Sequence, residues 1–170
     1  MRRKPLLYGF WAYSLFLGIS VTCASDLPDH TLTPGATNPD VTQASIKQTI
    51  CVSNWTKTVR PPTSYTKKLK EQQIAEYGYT DTDPTHYEED HLISLQLGGH
   101  PTDPKNLWPE PYMLKCGARI KDVLESRLKR NVCAGKITLR AAQKAIAQNW
   151  IKAYHTYVNA EGCPELSDDE

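Results

Sequence analysis

Four cysteines constrain this chain more than any other feature. Cys51, Cys116, Cys133 and Cys163 lie beyond an N-terminal segment that reads as a secretory signal. That segment opens on Arg2, Arg3 and Lys4, runs uncharged and mostly apolar over residues 6–22, and ends on Thr22, Cys23, Ala24 and Ser25. The order is positive region, apolar region, small-residue cleavage site. Cleavage is expected after Ala24 or Ser25, with residues 1–24 as the signal. An uncleaved anchor is one alternative, although the apolar run is at the short end for a bilayer. Lipidation at Cys23 is another, poorly matched by Ser20-Val21-Thr22 before it. Four cysteines in a small secreted domain point to two disulfides, with three connectivities open. A zinc site is the rival reading, but no Cys-x-x-Cys pair is present. Pairing Cys51 with Cys133 would tie the start of the domain to its helical end.

Charge excludes one class of function. The chain carries 20 Lys and Arg against 19 Asp and Glu. Loss of Arg2, Arg3 and Lys4 with the signal leaves 17 against 19, a net charge of −2. A protein that coats nucleic acid by charge alone is clearly basic. Any nucleic-acid contact here must use a local patch. Arg60, Lys67, Lys68 and Lys70 on one side, with Arg119 and Lys121 on the other, are the candidates.

Hydrophobic content of 39% supports a folded core. Residues 25–49 are rich in Pro, Thr, Asp and Asn and lack periodicity, which predicts a flexible linker. The domain is expected over residues 50–160, and an acidic tail over 161–170. Residues 51–60 read as an extended piece ended by Pro61-Pro62. Ser64 is placed to cap a helix running to about Tyr77, with Gly78 as its stop. Residues 86–97 are the best strand, turned by Gly98-Gly99, and Asn106-Leu107-Trp108 is a short return strand between Pro104 and Pro109. Ile120, Val123, Leu124, Arg127, Leu128 and Val132 recur at helical spacing up to Gly135. Thr138 caps a second helix, whose stripe is Leu139, Ala142, Ile146, Trp150, Tyr154 and Tyr157. Lys121, Arg127, Lys129 and Arg130 between those positions read as a solvated face. The order predicts an α+β fold of a hairpin with additional helices, stabilised by disulfides.

One constellation carries chemistry. Asp90-His91-Leu92-Ile93 is followed by Leu97-Gly98-Gly99 and then by Asn106-Leu107. This arrangement resembles the HNH nuclease motif, the ββα-metal or His–metal finger. Asn106-Leu107-Trp108-Pro109-Glu110 and Lys121-Asp122 resemble a narrower group of small secreted bacterial HNH-like proteins. The motif covers residues 87–122, and a looser likeness covers 51–157. The resemblance implies a ββα-metal core and a metal-dependent endonuclease that hydrolyses phosphodiester bonds.

In that reading His91 is the general base, since a neutral imidazole takes a proton from water near neutral pH. Asp90 is a hard oxygen ligand for one divalent cation, Mg²⁺ ahead of Mn²⁺ or Zn²⁺. Asn106 braces the loop that aims His91. The family places a His or Asn on the helix as a further ligand. Residues 116–122 contain neither, so Asp122 is expected in that place, with Glu125 one turn on. Arg119 and Lys121 are expected to meet substrate phosphate. The partner implied is nucleic acid, DNA ahead of RNA, for a secreted or periplasmic protein with no stable membrane association after signal cleavage. On a regular strand Asp90 and His91 point to opposite faces, and Glu89 shares the face of His91. A rival class is an extracellular binding domain that keeps the HNH-like fold without catalysis.

Overall fold

A computed structural model of the chain describes residues 24–164. The expected signal up to Cys23 and the tail from Glu165 onward lie outside the described residues. Helix α1 spans Trp55–Val59, α2 Thr63–Glu76, α3 Ala118–Cys133 and α4 Leu139–Tyr157. Strands β1 (Tyr87–His91) and β2 (Leu107–Pro111) form a two-stranded antiparallel sheet, with Tyr87 opposite Pro111 and His91 opposite Leu107. The fold is therefore α+β. No helix among the described residues is long and apolar enough to cross a membrane.

Strand β1 stops at His91, not at Leu97 as the apolar run predicts. Leu92 N still donates to Asn106 O, but Ile93 N donates to the Asn106 side chain instead of a neighbouring strand. Ser94 then accepts from Gln96 N and opens a 3-10 turn at Leu95–Leu97, which Gly98 ends at φ +71°. Leu92, Ile93, Leu95 and Leu97 are all buried. Such a run is read equally well as a buried strand or as an irregular buried loop, and side-chain hydrogen bonds decide here.

Strand β2 extends past Pro109 to Pro111. The bonds Leu92 N to Asn106 O and Tyr112 N to His86 O flank the ladder. Counting from them, Pro109 and Pro111 fall at non-hydrogen-bonded positions, where a missing N–H costs the ladder nothing.

Helices α3 and α4 pack as a hairpin, with Leu124, Leu128, Val132, Ala142, Ile146 and Trp150 fully buried between them and the sheet side of the core. Thr138 caps α4 by accepting from Ala141 N. Asn149 interrupts α4 (φ −168°, ψ 97°), and its side chain recaps the second half by accepting from Lys152 N. Val123 is largely exposed, outside the stripe assigned to it from spacing.

Two expectations are corrected. Residues 51–60 contain the one-turn helix α1, entered through Asn54 at φ +62°. Residues 25–49 do not behave as a linker. Val41 and Ile46 are buried in the main core, and this segment clasps the loop between the strands. Gly35 N bonds to Lys105 O, Asn38 N to Gly98 O, and His100 N to Ala36 O. The segment lacks periodicity because it is built of turns, which Asp29, Asn38 and Ser45 close through their side chains.

Both disulfides form. Cys51 is joined to Cys133 and Cys116 to Cys163, with Cα separations of 5.6 and 5.5 Å. The first ties the start of the domain to the end of α3. The second ties the loop before α3 to the segment after α4. Disulfides of this kind are typical of extracellular proteins.

Candidate active site

The two faces of β1 lead to different chemistry. Glu89 and His91 turn toward α2, and Asp90 turns toward α3. The α2 side forms a cleft of about 400 Å³ whose lining includes Arg60, Thr63, Lys67, Lys70, Glu89 and His91. Lys70 is steered there by donating to Tyr87 O at 2.7 Å. The three cations come from α2 and the turn before it, so a slightly acidic chain still presents a local basic wall.

His91 is only 4% exposed, and its Nε2 lies 2.9 Å from Pro101 O. A carbonyl only accepts, so Nε2 carries the proton and Nδ1 keeps its lone pair. Burial pushes the imidazole below its usual 6.5, against the pull of Asp90, so it is neutral at pH 7. Glu89 beside it shows the opposite shift. Burial raises its carboxyl to about 8, against Lys70, and both oxygens lack a hydrogen-bond partner. At neutral pH the cleft therefore holds a neutral base and a protonated acid.

Asn106 is fully buried and uses all four of its side-chain positions. Its oxygen accepts from Ile93 N and Ala36 N, and its nitrogen donates to Ile93 O and His100 O. Pro101, whose carbonyl holds His91, follows directly. Asn106 thus ties the start and end of the loop from Ile93 to His100, and the 25–49 segment, at one point.

Lys121 departs most from expectation. Its side chain has no exposure, so it does not face phosphate from solvent. It reaches the far side of β1 and donates to the Asp90 carboxylate, to Glu125 Oε1 at 2.7 Å, and to His91 O at 2.9 Å. Glu110 lies 3.9 Å away, and Ser94 donates to the other oxygen of Glu125 at 2.6 Å. Burial alone would drive the proton off Lys121. Asp90, Glu125 and Glu110 outweigh it and hold the ammonium charged. Burial pushes Glu110 well above the usual carboxylate range and Glu125 up to about 7.

These residues do not fit the expected divalent cation. Asp90 is already paired with an ammonium. A divalent ion on Asp90 would have to share that carboxylate with the Lys121 ammonium, a like charge that opposes it. Asp122 lines an adjoining hollow with Arg119, which shares Thr85, Glu88 and Tyr112 with the His91 cleft, and its carboxyl is raised by burial and then by Asp90. No group of three His, Cys, Asp or Glu side chains among the described residues is placed to hold a metal.

Of the residues expected from the motif, His91 and Asn106 meet through the loop, Asp90 and Lys121 meet across the sheet, and Arg119 and Asp122 line the hollow next to the His91 cleft and not the cleft itself. Glu89 lies beside His91, as the strand alternation predicts, and Glu110 enters the cluster without having been assigned to it. The signal for Lys121 was present: positions 121, 124, 125, 128 and 132 keep the phase of the buried stripe, and Glu125 lies four residues on. No family model, curated protein or solved structure matches this chain.

Proposed function

We propose that this protein is a secreted endonuclease that hydrolyses phosphodiester bonds of nucleic acid, with His91 as general base. The observation that carries the proposal is the neutral, carbonyl-anchored His91 in a cleft walled by Arg60, Lys67 and Lys70. In this reading the three cations hold the anionic phosphodiester. His91 Nδ1 takes a proton from water as its oxygen attacks phosphorus. The P–O bond to the leaving sugar oxygen breaks, and the protonated Glu89 carboxyl supplies the proton that oxygen needs. Asn106 and the Pro101 carbonyl hold the ring in one orientation.

The test is cutting of plasmid DNA and of RNA by the disulfide-bonded protein, with Mg²⁺, Mn²⁺ or Zn²⁺ and then with chelator. His91→Ala is expected to lower the rate by about 10²–10⁴-fold. Unchanged cutting by that variant would refute the role given to His91.

A second reading is favoured by the Lys121 ammonium beside Asp90: the domain binds nucleic acid and does not cut it. It predicts that a short oligonucleotide binds the wild type and that Arg60→Ala with Lys67→Ala abolishes binding, with no cleavage under any condition.

A further inference from the structure

The site has a cation of its own. We propose that the Lys121 ammonium is the permanent cation of this site and positions His91, so that no divalent metal is taken up at Asp90. The inference rests on the hydrolase reading only for its activity arm.

Four observations carry it. Lys121 has no solvent exposure, so its charge is not available for any external anion. Its three donors are all directed to the site: the Asp90 carboxylate, Glu125, and the main-chain oxygen of His91. Glu125 is itself fixed by Ser94, the residue that ends the His91 loop's extended stretch. Finally, Lys121 joins α3 to the last residue of β1, which is the link a helix-borne metal ligand would make through an ion. The His91 ring is then held by Pro101 on one side of the strand, while its backbone is held by Lys121 on the other.

An ammonium and a metal differ in one testable respect. The lysine is covalent, so the geometry of His91 does not change when divalent ions are removed. Lys121 is here a positioning residue, and its loss should act on the state of the His91 ring and on turnover, not on substrate capture.

The experiment uses the full disulfide-bonded protein. Nitrogen NMR of the His91 ring is recorded in EDTA and in Mg²⁺, Mn²⁺ binding is titrated calorimetrically, and nuclease rate is compared with and without EDTA. The wild type is expected to keep the Nε2–H tautomer in both buffers, to show no Mn²⁺ binding that Asp90→Asn abolishes, and to keep its rate within about twofold in EDTA. Lys121→Met should lose the single tautomer and should lower kcat by about tenfold or more with little change in KM, and added Mg²⁺ should not restore it. Mn²⁺ binding abolished by Asp90→Asn, a tautomer that depends on Mg²⁺, or a rate that falls tenfold in EDTA would each overturn the proposal. The wild-type measurements decide it even where Lys121→Met does not fold. Absence of cutting under every condition would sink the hydrolase reading and leave the NMR and calorimetric arms intact.

Discussion

His91 and Glu89 occupy one cleft and carry opposite shifts, which sets two pH dependences. Activity should rise as His91 loses its proton below its usual 6.5 and fall as Glu89 ionises near 8. A bell-shaped profile of kcat/KM with its alkaline limb removed in Glu89→Gln is the expected result. Stability follows the same groups with a definite sign. The folded value of His91 is depressed, so its contribution is present above 6.5 and lost as pH falls through the folded value. The folded value of Glu89 is raised, so its contribution is present below 4.5 and lost as pH rises through about 8. Glu89→Gln should therefore stabilise the protein at pH 9 relative to wild type, on the order of 3 kcal/mol, with little gain at pH 5. Urea melts at the two pH values check this. Asn106→Ala leaves the buried Ile93 N–H and carbonyl and the half-buried Ala36 N–H and His100 carbonyl without that partner, and is expected to cost about 2–4 kcal/mol. At this scale the motif made His91 and Asn106 legible. It misplaced Lys121, because a lysine in phase with a buried stripe looks like a surface residue until carboxylates are known to surround it.

The turn after β1 shows how backbone geometry limits an element. A Cβ on Gly99 would sit 1.6 Å from Ile93 O, inside the Asn106-braced loop. One on Gly98 would meet Val41 at 2.5 Å, with φ already at +71°. Gly135 also has positive φ, but nothing lies within 4 Å of its missing Cβ. Gly99→Ala should thus cost more than about 3 kcal/mol or prevent folding, whereas Gly135→Ala should cost only about 1 kcal/mol. Thermal melts of the two variants separate steric from conformational cost. The Gly-Gly pair was legible as a turn, and the caps of α3 and α4 were read from Gly135 and Thr138. The end of β1 was not legible. It depends on Asn106, thirteen residues away, taking over the hydrogen bonds of Ile93.

Across the whole molecule, the disulfides close spans of 82 and 47 residues. Loop-closure entropy gives each a stabilisation of about 4 kcal/mol. Cys51→Ser with Cys133→Ser should lower stability by about that amount, slightly more than the Cys116–Cys163 pair, as denaturant titration of the two double variants would show. The cysteine count and the secretory pattern made two bridges legible, while the connectivity remained one of three until the ends of α3 and α4 were placed. The α+β order, the α4 cap and stripe, and the choice of His91 and the loop-bracing Asn106 as the residues to look at came from the sequence itself, because each depends on local spacing or on a short motif. Only the tertiary structure decided that residues 25–49 clasp the site loop, that the Glu89 carboxyl is buried without a hydrogen-bond partner, and that Lys121 stands at Asp90 where a metal was expected. These depend on which side chains burial brings together, and on whether a buried charge finds partners, neither of which is written in neighbouring residues.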